Sequence, residues 1–350
     1  MICCIGITNG ENIYEQEYTT AKTTERVLKM LKPITGTWFE FHHHNIPEGK
    51  YWNPICRWFT DEQWETKIDE IASLGMKYIV LMASAIQYED WGESYFKTDI
   101  YPFAKMGAKD PIGAVMRACE RNHIKVFMSA GFYGVWTDTI GNMTSPEVQK
   151  RAFKAMEELY AQYGQSSAFY GWYLPDETGT YPYYQDLFIK YVNEYSAFGK
   201  SINPKHQILI APYGTNRVKA DDNYVKQLEA MKCDVIAYQD EIGVRKSRPE
   251  ETAAFYEALR KAHDKAGTSK LWADMEVFEF EGDVYTSALY PAAMERIDRQ
   301  IKSISPYVDE ILIYQYQGMF NKPGTTAFCG HPGSIQLYND YKAWLDNLNK

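Results

Sequence analysis

A chain of 350 residues, 45% hydrophobic and 24% charged, has the material for a large core. Its net charge of −9 argues against nucleic acid as a partner, because neutralising phosphates takes clustered Lys and Arg. No stretch approaches the roughly 20 apolar residues of a membrane-spanning helix, and the chain reads as soluble, with export left open if a leader has been trimmed.

Residues 1–32 read as an arm or short helix outside the main fold. From Pro33 onward, apolar runs alternate with amphipathic stretches. The runs cover 34–41, 77–83, 125–130, 170–174, 207–211, 234–238, 271–277 and 310–316. They are continuous in apolar character, as parallel strands covered on both faces should be. Helical stretches are expected at 65–74, 112–121, 146–163, 183–198, 224–231, 249–266, 288–304 and 335–348. Thr60 with Gln63 forms a capping box. Ser145-Pro146 places an N-cap before a proline at the first helical position, and Pro249 opens a helix in the same manner. Strict alternation without a linker predicts one α/β domain over 33–350, a (β/α)8 TIM barrel. Cys3, Cys4, Cys56, Cys119, Cys233 and Cys329 have no C-x-x-C spacing and read as scattered buried thiols.

In such a barrel the chemistry lies where strands end, so the residues there are candidates. Strand one leads into Glu40, His42, His43, His44 and Asn45, and strand two into Trp91. Tyr133 follows strand three, Asp176-Glu177 strand four, and Asn216 strand five. Strand six ends at Gln239 with Asp240-Glu241 beyond it. Strand seven carries Asp274 and Glu276, and strand eight Tyr314-Gln315. Carboxylates, amides and phenols are the groups that bind polyhydroxyl ligands. Neither a G-x-G-x-x-G turn nor a P-loop occurs, and no cofactor is expected.

Two carboxylates stand out by position. Glu177 is delivered by the apolar run Tyr170-Gly171-Trp172-Tyr173-Leu174-Pro175, and Glu276 sits at equivalent depth on strand seven. Cleaving a glycosidic bond needs such a pair, one acid to protonate the leaving oxygen and one carboxylate to attack or to activate water. Asp176-Glu177 could instead cap a helix, and Asp274 and Glu241 compete with Glu276 for the second role. Three consecutive histidines cannot all point one way from a strand. Only His42 and His44 could face alongside Glu40, and no metal site is expected there. One histidine and Asn45 are expected to bond sugar hydroxyls. The chain is 15% aromatic, with 28 Tyr and 9 Trp, which suits stacking on sugar rings as well as core packing. Trp38, Trp91, Trp172 and Tyr316 are the stacking candidates.

Three segments resemble a bacterial family known as domain of unknown function 4434. They are Ile34-Thr35-Gly36-Thr37-Trp38-Phe39, then Trp58-Phe59-Thr60-Asp61-Glu62-Gln63-Trp64 leading to Leu74-Gly75-Met76, and Gly171-Trp172-Tyr173-Leu174-Pro175-Asp176-Glu177. The resemblance implies a TIM barrel and glycosyl hydrolase activity. An acid after strand four and another on strand seven is also similar to clan A glycoside hydrolases, where Asn usually precedes the first; here that residue is Asp176. The expected function is therefore glycoside hydrolysis by Glu177 and Glu276 on a carbohydrate ligand, the alternative being a carbohydrate-binding protein without catalysis. Oligomeric state, sugar identity and stereochemical outcome are not legible.

Overall fold

The structure, a computed structural model, describes residues 31–348. The first four barrel strands are β1 (Gly36–Phe39), β2 (Tyr78–Leu81), β3 (Lys125–Ser129) and β4 (Phe169–Leu174). The other four are β5 (Gln207–Ile210), β6 (Val235–Gln239), β7 (Lys270–Glu276) and β8 (Glu310–Tyr314). Each pairs in parallel with its neighbours, and β8 returns to β1, closing an eight-stranded barrel.

Helices follow the strands in turn. They are α1 (Asp61–Ser73), α2 (Pro111–Arg121), α3 (Pro146–Tyr163), α4 (Asp186–Ile202), α5 (Asp222–Ala230), α6 (Pro249–Ala266), α7 (Met294–Ile304) and α8 (Ser334–Leu348). The architecture is that of a (β/α)8 TIM barrel. Their starts obey local chemistry. The Thr60 hydroxyl accepts from Gln63 N at 3.3 Å while Gln63 Oε1 accepts from Thr60 N at 3.0 Å. Ser145 caps α3, with Pro146 at its first position.

Two boundaries differ from expectation. Helix α7 begins at Met294, not 288, because Leu289–Pro291 pairs antiparallel with Phe278–Phe280 as a small hairpin. Helix α4 begins at Asp186, not 183, because Gln185 is extended and Tyr184 N donates outside the helix, to Gln227 Oε1 at 2.9 Å. Cys56, Cys119, Cys233 and Cys329 are buried free thiols. Cys3, Cys4 and nearly all of the expected N-terminal arm lie outside the described residues. No described helix is long and apolar enough to cross a membrane.

The barrel interior is plugged with rings at its N-terminal end. Tyr78 and Trp272 lie 4.7 Å apart between centroids, and Phe127 sits edge-on to Tyr170 at 5.2 Å and to Trp272 at 5.9 Å. Gly36 makes room for this layer, since a Cβ there would fall 2.7 Å from that of Tyr78. With this end filled, the opposite mouth is where a cavity can open.

Candidate active site

The alternation of a β-strand explains how β7 serves the mouth. Trp272 belongs to the ring plug inside the barrel, so Asp274 and Glu276, two and four residues on, climb the same inner face. On β4, Tyr173 packs edge-on to Trp38 inside the barrel at 5.9 Å, and Pro175 leads the chain off the strand to Glu177. Glu177 and Glu276 thus arrive from strands three places apart around the barrel. Both line a cleft of about 310 Å³ at the C-terminal mouth.

Glu177 accepts hydrogen bonds from the Tyr173 hydroxyl at 3.2 Å and from Gln239 Nε2 at 2.7 Å. Burial raises its carboxyl to about 7; the two donors pull the other way, and the charges of Asp176 and Glu241 add to the rise. Asp176 also touches the cleft, but its oxygens are taken by Asn142 Nδ2 at 2.8 Å and the Tyr191 hydroxyl at 3.2 Å. Burial lifts Asp176 to about 6. It braces the segment that carries Glu177 against α4.

Glu276 accepts from Val244 N at 2.8 Å, and burial, reinforced by Asp240, pushes its carboxyl well above the ordinary range. Asp240 holds the end of β7, accepting from Glu276 N at 3.1 Å and from Gln300 Nε2 at 2.7 Å. Asp274 is different. It is buried, its Oδ1 has no hydrogen-bond partner, and burial together with Glu177 and Glu276 drives its carboxyl strongly upward. Glu241 is occupied elsewhere, accepting from Gly214 N at 2.8 Å and pairing with Lys246 at 3.2 Å.

His43 and Glu48, which line the cleft, form an ion triad with Glu40. The His43 ring places Nδ1 2.9 Å from Glu40 Oε1 and Nε2 3.0 Å from Glu48 Oε2. Burial alone would keep the imidazole neutral, but Glu40 and Glu48 outweigh it and raise His43 to about 10. Burial would likewise raise Glu40, yet His43 brings it down to about 2. Trp52 Nε1 at 2.9 Å and Gln315 Nε2 at 2.7 Å complete the shell of Glu40. Asn45 Nδ2 donates to Glu48 at 2.7 Å, and Tyr314 places its hydroxyl 3.0 Å from His43 Nδ1. Ligand atoms of Glu40, His43 and His44 all lie within 4.8 Å of one another, spacing a metal could use. A metal needs a neutral imidazole with a free nitrogen, and both nitrogens of His43 are engaged.

Several expected residues sit elsewhere. The histidine beside Glu40 is His43, not His42. The strand ends at Phe39, so two-residue alternation does not extend through the turn at 40–44. His42 does not line the cleft; burial lowers it to about 4, with Arg57 next in effect. Trp38 is inside the barrel, while Trp172 and Tyr316 are in the core, bonded to His206 at 3.0 Å and Glu70 at 3.1 Å. Tyr133 is buried against the Ser84 hydroxyl at 2.8 Å, and Asn216 donates to the Lys246 carbonyl at 2.8 Å. Trp91 stands outside the cleft, 46% exposed. Glu40 and Gln315 are buried and do not line the cleft, whereas Asn45, Gln239, Asp274 and Tyr314 do. Residues not singled out beforehand include Glu48, Trp136, Phe278 and Tyr285, which also line it. Trp136 follows strand three closely enough to have been picked by position; Tyr285 arrives from a hairpin invisible to a periodicity reading.

A family model described as Domain of unknown function (DUF4434) matches residues 34–327. The chain belongs to the DUF4434 family. No curated protein matches it by sequence. Among solved structures, this DUF4434 fold resembles one described as "a putative alpha-L-fucosidase" from Bacteroides thetaiotaomicron VPI-5482. The TM-score is 0.69 at 16% identity, over 90% of this chain and 96% of that one. An endo-1,4-beta-mannanase from Rhizomucor miehei gives 0.55 at 10% identity, over 90% and 95%. A beta-galactosidase from the haloarchaeon Halorubrum lacusprofundi gives 0.58 at 10% identity, over 90% of this chain and 58% of that one. At such identities the likeness is one of fold.

Proposed function

We propose that this DUF4434 protein hydrolyses a glycosidic bond, with Glu177 as general acid/base and Glu276 as nucleophile or second base. The observation that carries the reading is the state of Glu177. Burial lifts its carboxyl to about 7, where it can both give and take a proton near neutrality, while it faces a cleft shared with Glu276. Proton donation to the leaving oxygen needs the first property, and the second carboxyl is needed on the same ligand. Fold neighbours described as a mannanase and a beta-galactosidase support the reaction class.

Apolar and aromatic groups complete the binding surface. Met82, Phe132 and Phe278 give the cleft dry walls, and Tyr213, Tyr285 and Tyr314 offer rings with hydroxyls. Asp274 competes with Glu276, and its unpartnered Oδ1 also fits a role in gripping a sugar hydroxyl. No cofactor enters the proposed reaction.

The test is turnover on a library of aryl glycosides. Glu177→Gln is expected to lower kcat by about 10²- to 10⁴-fold with an unchanged melting transition. Glu276→Gln should cost more than Asp274→Asn; the reverse order would exchange their roles. Wild-type turnover in Glu177→Gln removes Glu177 from the mechanism and the reading with it.

A further inference from the structure

Exposed apolar side chains are unevenly placed on this molecule. Among the described residues eight large hydrophobic side chains are exposed, and every one lies in a connection from a strand to the following helix. Trp58, Phe103, Tyr181 and Tyr285 are examples; Trp91 is another. None lies on the outer helices or at the plugged end. Incidental exposure would scatter over the surface, whereas clustering around one face marks a binding surface.

Trp91 is the member best tied to the cleft. The hairpin formed by Ala85–Gln87 and Gly92–Ser94 carries Tyr88 and Trp91 in its turn. The two rings stack with centroids 4.5 Å apart and 22° between planes, and Tyr88 N donates to the Trp91 carbonyl at 2.7 Å. The Tyr88 hydroxyl donates to the His44 carbonyl at 3.1 Å. His44 lines the cleft and packs against Trp136, which lines it too, at 4.6 Å. Trp136 N donates to the Gln87 carbonyl at 3.0 Å, so hairpin and cleft wall are joined twice. Tyr88 covers one side of the Trp91 ring, and 46% of Trp91 remains exposed. The indole is therefore held in place without being buried, as a platform requires.

Charge narrows the ligand. Glu48, Asp176, Glu177, Asp274 and Glu276 line the cleft, while no Lys or Arg side chain does. The one cationic group there, His43, is already committed to Glu40 and Glu48. A carboxylated or sulfated sugar would find no free cationic side chain in the cleft lining to pair with it.

Resting on the glycosidase reading above, we propose that the Tyr88–Trp91 pair is an outer sugar-binding subsite. The substrate is then an uncharged oligosaccharide, with one end in the cleft and a following unit stacked on Trp91. The C–H face of a pyranose lies against the indole, and its hydroxyls stay in water.

A glycan array of neutral and acidic mono- to tetrasaccharides, probed with Glu177→Gln protein, tests this. The expected result is retention of neutral oligosaccharides over the matching monosaccharides. Adding Trp91→Ala should cut that preference about tenfold, and Trp91→Phe should keep most of it. Melting curves of the three proteins are compared to exclude misfolding. Undiminished preference in Trp91→Ala, equal retention of monosaccharides, or selection of acidic glycans overturns the subsite, while aryl-glycoside turnover by the Glu177 protein would still uphold the hydrolase reading. Loss of that turnover together with an empty array brings down both.

Discussion

At the scale of the single residue, Glu177 is a balance of opposed effects, and each can be moved separately. Burial favours its protonated form, and the amide of Gln239 favours the charged form. An acid catalyst works while protonated, so kcat/KM is expected to fall as pH rises through about 7. Gln239→Leu removes a donor to the carboxylate, raises the proton affinity of Glu177 and should carry that alkaline limb to higher pH. Asp176→Asn removes a neighbouring negative charge and should carry it lower. The pH profiles of the two variants decide the matter. A limb that stays put in both would mean Glu177 is not the titrating acid. The position of Glu177 was legible in the sequence because an apolar strand ends just before it. Its proton affinity was not, since Gln239 and Glu241 reach it from the end of β6, two strands away around the barrel.

At the scale of the element, the turn after β1 shows where pattern reading stops. Alternation holds while backbone pairing enforces it. It therefore located Asp274 and Glu276 on β7, which stays paired with β8 as far as Glu276. Strand β1 pairs only as far as Phe39, and beyond it the chain is shaped by the Asn53 side chain and the buried acids. His43 accordingly takes the place expected of His42. Its imidazolium holds the turn to the 3-10 helix Glu48–Tyr51 by bonding carboxylates at both nitrogens. Removing one partner from a buried ion pair leaves uncompensated charge, so His43→Ala should destabilise the fold by about 3–5 kcal/mol in urea titrations. The proton itself gives a second check. His43 is raised from 6.5 to about 10, so its contribution is full below pH 6.5 and fades as pH climbs towards 10. The stability difference between wild type and His43→Ala should shrink over that interval. A difference that is constant with pH would show that the triad is not held by this charge.

At the scale of the whole molecule, the ring plug and the cleft are two ends of the same strands. This was the most legible part of the sequence. Eight buried apolar runs alternating with capped helices leave few architectures open, and the barrel closes with the strand order such a rhythm demands. What the rhythm did not show is which tryptophans face inward. Trp172 turns out toward Phe169 and His206, whereas Trp272 turns in to Tyr78 and Phe127. The distinction is testable because both side chains are fully buried and of equal size. Trp172→Ala and Trp272→Ala should each cost about 3–5 kcal/mol, read from denaturant midpoints. Their effects on turnover should differ. Trp272 lies directly below Asp274 and Glu276 on one face of β7, so emptying its site lets that strand relax and misplaces both carboxyls. Positions of reacting groups matter to within an ångström. Measured where both variants remain folded, kcat should fall at least about tenfold further in Trp272→Ala than in Trp172→Ala. Equal turnover in the two would mean that the plug supports the fold without holding the carboxyl-bearing end of β7 in register.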